Sequence, residues 1–532
     1  MVSSVDHFEA LFREAERSWQ LDQLYADLEK VAGKPLKSYE KACLRGLLCR
    51  FRPGEIANAC VWSSGAMRVE LNKGLYRYIE ILTGNPLNSL RWEKVSEWLE
   101  AKGYRLQQAL VTSSMPAQID WGNAPEVNLF FSRTRDLQLL EKWIVGDRTR
   151  LVAIYGMGGI GKTTLAVKLV ERICGHFERV VWRSLKNAPP PNALITDLIQ
   201  GNDLDTLLHY FRQGRHLFIL DDFETVLQDG ELVGAYRQGC QGYGELIQRL
   251  GTERHSSCGI ILSREQPKEV ASLQGDDLPV RAYKLSGLDL QGAIALLQSR
   301  GFRGSEAGLQ IMIEQYRGNP AALKLVSGTI REIFNGDVTE FLKQTGLAIG
   351  DTLKALLYQQ FERLSILEKD ILYCISLKRR PVSLGELRSA SIVEDSGSDL
   401  ISALESLCWR SLIEKVTEGG QTLLQLEPVV LKYVQRKFVE EVNRELDEFL
   451  EHRQLGRLEL LGKHPLVEDS ASEAIRAVQI RLVLKPIKDR MHKLMARENM
   501  EDLSAVIGKY LGKLPAERGY LETNLSLLGW WY

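Results

Sequence analysis

The feature that most constrains the fold of this chain is a glycine-rich turn between a strand-forming run and a helix-forming run. Residues 151–170 read LVAIYGMGGIGKTTLAVKLV, in which an apolar, β-prone run precedes the turn and a helical pattern follows it. Glycine lets the backbone wrap closely around phosphate groups with its N–H groups pointing inward, and the following helix adds the positive end of its dipole. The stretch therefore predicts a phosphate-binding loop.

Two side chains of this loop have specific predicted roles. Lys162 would reach the β- and γ-phosphates of a nucleoside triphosphate, and the Thr163 hydroxyl would ligate Mg²⁺. The rest of the loop would surround the phosphates with backbone N–H groups. The residues assigned to nucleotide binding here are Gly156, Met157, Gly158, Gly159, Ile160, Gly161, Lys162, Thr163 and Thr164.

Two adjacent acids follow a later apolar run. The run HLFIL ends in Asp221 and Asp222, and the carboxyl end of a parallel strand is where such a sheet presents residues to a ligand. Asp221 is therefore predicted to hold the Mg²⁺ hydration shell, and Asp222 to orient or deprotonate an attacking water. The alternative, a solvated turn, does not explain why both acids follow a buried strand.

A cation ends the next apolar run. The run GIIL over residues 259–262 is followed by Ser263 and Arg264, and a cation at the end of the strand beside the phosphate loop can contact the γ-phosphate. Arg264 would then distinguish ATP from ADP, although a surface cation remains the alternative. With the runs at 178–185 and 280–285, these segments predict a parallel α/β sheet.

The segment before residue 83 predicts a helix-turn-helix. YEKACLRGLLCRF, RPGEIANAC and SSGAMRVELNKGLYRYIEILT read as a helix, a short helix after a turn, and a longer helix. Between residues 34 and 80, nine Lys or Arg against four Glu give a local charge of +5, as phosphate contacts require. The same unit also serves as a protein-binding module, so residues 34–82 are predicted to contact either DNA or a protein partner. The candidate contact residues are Arg68, Asn72 and Lys73.

Composition limits the remaining possibilities. A chain of 532 residues is too long for one core, and 68 Lys and Arg against 69 Asp and Glu provide no global field toward nucleic acid or a membrane surface. The N-terminus lacks a signal-peptide pattern and no stretch is apolar enough to span a membrane, so we expect a cytoplasmic chain with no membrane partner. Eight cysteines without a C-x-x-C pair favour reduced, buried thiols over a metal centre.

Taken together, these motifs resemble the NB-ARC family of signal-transduction ATPases. The resemblance runs from about Phe130 to Phe438 and includes the phosphate loop, VVWRSL, the two acids, Ser263-Arg264 and GNPAAL at 318–323. It implies that Pro320 lies against the nucleotide base and that Arg133 supports the adenine side. The part before residue 110 resembles the helix-turn-helix module found before NB-ARC domains in cyanobacterial regulators, which implies a bacterial source.

The resemblance also implies the order of domains. A P-loop parallel sheet is followed by helical and winged-helix domains, between an all-α helix-turn-helix domain and an all-α C-terminal segment. The family usually carries Met-His-Asp after the winged helix, whereas this chain has Leu426-Glu427-Pro428, and an ionised glutamate cannot donate to a phosphate. The boundaries are 1–110 (helix-turn-helix), 111–129 (linker), 130–286 (nucleotide-binding), 287–360 (helical lid), 361–440 (winged helix) and 441–532 (C-terminal).

This organisation predicts a nucleotide-driven switch with ATP or ADP and Mg²⁺ as cofactors. ADP would hold the lids closed, ATP would release them and expose a surface for self-association, and slow hydrolysis would reset the switch. The output would pass through the N-terminal module, to DNA or to a partner protein. Two alternatives remain open: an assembly scaffold with a structural nucleotide, and an ATP-regulated DNA-binding repressor without significant turnover.

Overall fold

The computed structural model describes residues 11–529, apart from gaps at 13–14, 16–18, 50, 61, 88, 106–117, 200, 346–349, 391–396, 453–456 and 496–518. The chain divides into two compact units, Met1–Ser114 and Met115–Tyr532. Within the described ranges, no helix combines the length and the apolar character needed to cross a membrane.

The first unit is a small helical domain with its own core. Leucines spaced three or four residues apart bury one face of several helices, as an amphipathic helix requires, and Leu24, Leu44 and Ile79 are fully buried. Its helices are Leu21–Ala32, Ser38–Leu48, Pro53–Ala59, Ser64–Glu70, Tyr76–Thr83 and Val95–Ala101, with a π-helical turn at Leu71–Leu75 and a 3₁₀ turn at Trp92–Lys94.

The second unit begins with a six-stranded, fully parallel sheet. Its strands are β1 (Gln118–Asp120), β2 (Leu151–Tyr155), β3 (Arg179–Ser184), β4 (His216–Asp221), β5 (Cys258–Ser263) and β6 (Val280–Lys284). They lie in the order β1-β3-β4-β5-β2-β6. The central strands are buried on both faces because helices cover both sides of a parallel sheet, which is why they appear in the sequence as continuous apolar runs.

Strand β1 lies within residues 111–129, the segment predicted to be a linker. Gln118 pairs with Arg179 and Asp120 with Val181, so residues 118–120 add a parallel edge strand to the sheet. The local sequence does not predict this strand, because only one of its three residues is apolar. Its extended conformation comes from the pairing with β3.

Helices pack on both faces of the sheet. One face buries Val152, Ile219 and Ile260, and the other buries Ala153, Phe218 and Ile261, as the two-residue alternation of strands requires. The first face is covered by the helices Thr134–Glu141 and Lys162–Ile173, and the second by Pro191–Ile199, Leu204–Gln213, Gly242–Thr252 and Lys268–Leu273.

A helical region follows the sheet, and then a small mixed region. The helices Leu290–Ser299, Leu309–Gln315, Pro320–Ile333, Val338–Thr345 and Asp351–Glu362 share one hydrophobic core with the residues after them. Residues 366–425 form the helices Ile366–Lys378, Leu384–Ser389 and Gly397–Trp409 and an antiparallel sheet of β7 (Val382–Ser383), β8 (Glu414–Glu418) and β9 (Gln421–Gln425), in the order β7-β9-β8.

The remaining described chain is helical. Pro428–His452 has 25 residues; its buried Phe438 packs against Tyr373 in the helix Ile366–Lys378, and its buried Tyr433 packs against Phe361 in the helix Asp351–Glu362. The later helices are Glu459–Lys463, Glu473–Gln479, Lys485–Met495 and Leu521–Leu528, with a π-helical turn at Ile480–Leu484.

Candidate nucleotide site

A cavity of about 250 Å³ lies at the carboxyl ends of β2, β4 and β5. Because β5 lies between β4 and β2, the phosphate loop after β2, the acids after β4 and Arg264 after β5 reach the same space. The residues that line it are Gly158, Gly159, Gly161, Lys162, Thr163, Thr164, Asp221, Asp222, Glu224, Leu262 and Arg264.

The loop after β2 has the conformation that its glycines permit. Gly159 and Gly161 have φ values of 75° and 99°, and Gly161 is the N-cap of the helix Lys162–Ile173. A Cβ on Gly159 would stand 2.5 Å from the Cβ of Ala321, so a side chain there would collide with the helical region. The helix N-terminus therefore points at the cavity, where its dipole favours an anion.

Lys162 is a partly buried cation of the cavity. Its Nζ donates to the carbonyl oxygens of Gly156 at 2.8 Å and Met157 at 3.2 Å, which holds the ammonium group inside the loop. Burial lowers the pKa of Lys162 to about 8, while the carboxylates around it, Glu224 first among them, act in the opposite direction. A phosphate group here would raise this pKa again by pairing with the ammonium group.

Thr163 and Asp221 are close enough to share a cation. The Thr163 hydroxyl donates to Asp221 Oδ1 at 3.3 Å, and Asp221 is almost fully buried at the end of β4. Burial, with the neighbouring Asp222, raises the pKa of Asp221 to about 6, so its charged form needs a partner. Two protein oxygens suit Mg²⁺, which keeps several waters and takes other ligands from phosphates. Across the ranges described, no cluster of three or more His, Cys, Asp or Glu side chains could hold a metal.

Asp222 occupies a special backbone position beside Asp221. Its φ of 57° lies in the left-handed region, which only a few non-glycine residues adopt. The Asp222 carboxylate accepts a hydrogen bond of 2.9 Å from the Ser184 hydroxyl at the end of β3, and it also lines the cavity. Ser184 thus orients a carboxylate that sequence reasoning assigned to the attacking water.

Arg264 lines the same cavity as Lys162 and is paired with Glu224, to which sequence analysis assigned no role. Its Nε lies 3.0 Å from Glu224 Oε1, and its backbone N–H donates to Glu224 Oε2 at 3.0 Å. Its Nη1 donates to Gln359 in the helix Asp351–Glu362 at 3.2 Å. Glu224 follows the predicted acid pair by two residues, but no pattern in the sequence connects it with Arg264.

Arg133 and Pro320 lie behind the loop. Arg133, buried with a φ of 70°, donates through Nη2 to Ile160 O at 2.8 Å and Ser286 O at 3.0 Å, so it braces the phosphate loop. Pro320 begins the helix Pro320–Ile333, and its Cγ would stand 3.9 Å from a Cβ on Gly161. Sequence reasoning missed Asn319, whose Nδ2 donates to Gly158 O at 3.2 Å while its Oδ1 caps that helix.

The candidate contact residues of the first unit belong to a separate surface. Asn72 and Lys73 are exposed on the π-helical turn Leu71–Leu75, whereas the side chain of Arg68 lies outside the described part of the structure. The π-helical turn widens the helix from Leu71 onward and shifts the face on which Asn72 and Lys73 lie.

Glu427 stands where the family usually has a histidine. Burial, together with the neighbouring Glu414, raises the pKa of Glu427 to about 7, against the weaker effects of Arg317 and Lys284. The protonated form of this carboxyl group can donate a hydrogen bond, whereas the ionised form cannot. Glu427 is not among the residues that line the cavity.

Comparison with known proteins gives a consistent family. The NB-ARC domain model matches residues 133–277, which confirms the resemblance read from the motifs. An uncharacterized WD repeat-containing protein of Nostoc sp. is 35% identical over 89% of this chain and 43% of its own length. A disease resistance-like protein of Arabidopsis thaliana is 26% identical over 38% of this chain and 17% of its own length. The chain thus spans less than half the length of these curated relatives.

Solved structures also match over a large part of the chain. A STAND-class signal-transduction ATPase with a tetratricopeptide repeat sensor, from Pyrococcus horikoshii, is 17% identical, covering 76% of this chain and 58% of its own, with a TM-score of 0.29.

Proposed function

This chain carries a domain of the NB-ARC family over residues 133–277, and from that premise we propose that it is an ATP- and ADP-binding molecular switch. The observation that carries the proposal is that Lys162, Asp221 and Arg264 line one cavity. A partly buried ammonium group, a buried carboxylate beside a hydroxyl and a half-exposed guanidinium group match the needs of a triphosphate with its Mg²⁺.

Each cavity residue would take a separate part of the work. The loop N–H groups and Lys162 would bind the β-phosphate, Thr163 and Asp221 would hold Mg²⁺, and Arg264 would contact the γ-phosphate. Mg²⁺, when bound, neutralises charge on the phosphate oxygens. Asp222, oriented by Ser184, would position the attacking water, and slow hydrolysis would return the switch to the ADP state.

The regions after the sheet are proposed to act as lids. Asn319 donates to the loop carbonyl of Gly158, and Gln359 accepts from Arg264, so both helices that carry these residues contact the cavity wall. We take residues 287–360 as the helical lid and residues 361–440 as a winged helix, with residues 441–532 as the C-terminal segment. Release of these lids in the ATP state would expose a surface for self-association.

The first unit is proposed as the output module. Two of its short helices, Pro53–Ala59 and Ser64–Glu70, follow one another with a tight turn, as in a helix-turn-helix. Exposed Asn72 and Lys73 lie on the continuation of the second helix, where DNA or a partner protein could contact them. In one variant of this proposal the chain is a DNA-binding repressor. Bound ATP would then regulate DNA binding by this module, and ATP hydrolysis would have no role.

One observation supports a second candidate. The Ser184 hydroxyl donates to Asp222 Oδ2, so one oxygen of the carboxylate that would orient or deprotonate the attacking water already has a partner. A scaffold that keeps its nucleotide as a structural part would need no hydrolysis. Retained signalling in Asp222→Asn, together with unmeasurable hydrolysis by the wild-type chain, would favour the scaffold.

The test of the proposal is nucleotide binding by the purified chain. Lys162→Ala should abolish binding of both ATP and ADP, because it removes the partly buried cation of the cavity. Lys168→Ala is the matched control, since Lys168 lies on the same helix and pairs with Glu171 away from the cavity. Equal affinities of wild type and Lys162→Ala would contradict the assignment, and nucleotide released on denaturation would identify the resting state.

A further inference from the structure

Glu224 is a third carboxylate in the phosphate cavity, and it pairs with the residue that would sense the γ-phosphate. Its side chain is only 8% exposed and receives Arg264 twice, through Nε at 3.0 Å and through the backbone N–H at 3.0 Å. Asp221 and Asp222 have other partners, Thr163 and Ser184. Glu224 is therefore the anion that neutralises Arg264 in this arrangement.

The backbone of Glu224 is held in place by contacts that do not involve the cavity. Glu224 lies in the 3₁₀ turn Phe223–Val226, and its carbonyl oxygen accepts a hydrogen bond of 2.8 Å from Arg363 Nη2. Thr225 in the same turn donates from its N–H to Asp222 O at 3.0 Å. If the Arg264 guanidinium moved away, the buried Glu224 carboxylate would lose its ion-pair partner and keep only the backbone N–H of Arg264 and the more general attraction of Lys162, and losing the partner of a buried ion pair is costly.

The Arg264 side chain has more freedom than its partner. It is 24% exposed, against 8% for Glu224, and apart from Glu224 the structure gives its guanidinium a contact to Gln359 at 3.2 Å. Its Cζ would stand 3.9 Å from a Cβ on Gly158, so the guanidinium already lies over the phosphate loop. The guanidinium group is therefore placed where a phosphate bound in the loop could compete with Glu224 for it.

We propose that Glu224 competes with the γ-phosphate for Arg264 and so sets the preference of the site between nucleoside triphosphate and diphosphate. A triphosphate must break the ion pair between the Arg264 guanidinium and Glu224, whereas a diphosphate leaves that pair intact. The intramolecular pair thus weakens triphosphate binding selectively and makes the diphosphate state the resting state. This inference rests on the proposed function, because it assigns a further residue of the same site.

The experiment measures the affinities of a non-hydrolysable ATP analogue and of ADP, by titration calorimetry with Mg²⁺ present. Glu224→Gln should raise the affinity for the analogue about tenfold, in the range of coupling between neighbouring charged groups, and change ADP affinity less than twofold. In an Arg264→Gln background, Glu224→Gln should leave the ratio of the two affinities unchanged. That double-mutant cycle separates competition for Arg264 from simple removal of a negative charge.

Two further variants sharpen the result. Glu224→Asp keeps the charge but is one methylene shorter and cannot hold Arg264 Nε, so it should also raise the ratio of analogue to ADP affinity. Glu171→Gln removes a carboxylate from the helix that follows the phosphate loop, outside the cavity and without touching Arg264, and it should leave that ratio unchanged. Unchanged ADP affinity in each variant shows that the cavity is folded.

Equal gains for the analogue and ADP, or a Glu224→Gln effect that persists without Arg264, would overturn the inference while leaving the proposed function intact. A wild-type chain that binds neither nucleotide would overturn both.

Discussion

Glu265 and Arg410 form a buried ion pair with 2.8 Å between Glu265 Oε2 and Arg410 Nη1, and both side chains are at most 5% exposed. Glu265 directly follows Arg264 at the end of β5, and Arg410 directly follows the helix Gly397–Trp409. Arg363 also pairs with Glu265, and Arg410 also pairs with Glu368 at 3.0 Å. Four alternating charges thus connect the edge of the nucleotide cavity with the small mixed region.

The first prediction concerns this cluster. Arg410→Met should lower the unfolding temperature clearly, because it leaves Glu265 and Glu368 buried with one cation fewer, a loss worth about 3–5 kcal/mol. Differential scanning calorimetry gives the shift. Arg436→Met is the control, since the Arg436–Glu440 pair is exposed and should contribute less than about 1 kcal/mol. An equal shift in both variants would show that the loss of stability does not depend on whether the ion pair is buried.

The second prediction concerns Asp221 and pH. Its pKa in the folded chain, about 6, lies above the ordinary value of 3.8, so folding favours the protonated form. The stabilising contribution is complete below pH 4 and is lost as the pH rises through 6. Asp221→Asn should therefore stabilise the nucleotide-free chain at pH 7.5, by on the order of 2 kcal/mol.

The same variant separates stability from function. Asparagine keeps an oxygen that can accept from Thr163 but carries no charge for Mg²⁺. We expect a higher unfolding temperature together with loss of the Mg²⁺ dependence of nucleotide affinity. A variant that is less stable than wild type at pH 7.5 would show that Asp221 is already neutralised in the free chain.

The third prediction concerns Glu427, whose raised pKa of about 7 also lies above its ordinary value of 4.5. The charged groups that act on it are Glu414, Arg317 and Lys284. Its stabilising contribution is complete below pH 4.5 and is lost as the pH rises through 7. The unfolding temperature of wild type should therefore fall between pH 6 and 8 more than that of Glu427→Gln. Parallel pH profiles would assign the titration to another group.

The strands were predictable because each central strand is a continuous apolar run buried on both faces. Edge strand β1 was not, because Gln118–Asp120 becomes a strand only through its register with β3. The phosphate loop was also predictable, because its glycine spacing, Lys162 and Thr163 all lie within one short segment of sequence. The Glu224–Arg264 pair was not, because it depends on β4 and β5 being neighbours in the sheet, which no local pattern states.

The fourth prediction concerns Arg133, which connects the phosphate loop with the end of the sheet. Arg133→Met removes the hydrogen bonds to Ile160 O and Ser286 O and should weaken ATP and ADP binding by about tenfold, since hydrogen bonds from charged groups are worth about 1.5–3 kcal/mol. Arg135→Met is the control, because Arg135 is exposed two residues away. Unchanged affinity for both nucleotides would show that these two hydrogen bonds do not support the phosphate loop.

The last prediction decides between DNA and protein as the target of the first unit. If DNA is the target, Lys73→Ala should weaken duplex binding for all sequences and reduce the slope of log affinity against log salt by about 1, because one phosphate contact is lost. Lys30→Ala is the control. The Lys30 side chain is 77% exposed and pairs with Asp27 of the same helix, which is not the helix that carries Lys73. Fluorescence anisotropy over a series of salt concentrations measures both slopes.

If the full chain binds duplex DNA with the same slope in wild type and Lys73→Ala, the helix that carries Asn72 and Lys73 does not contact the phosphates. A protein-binding role then becomes the better explanation of its exposed face.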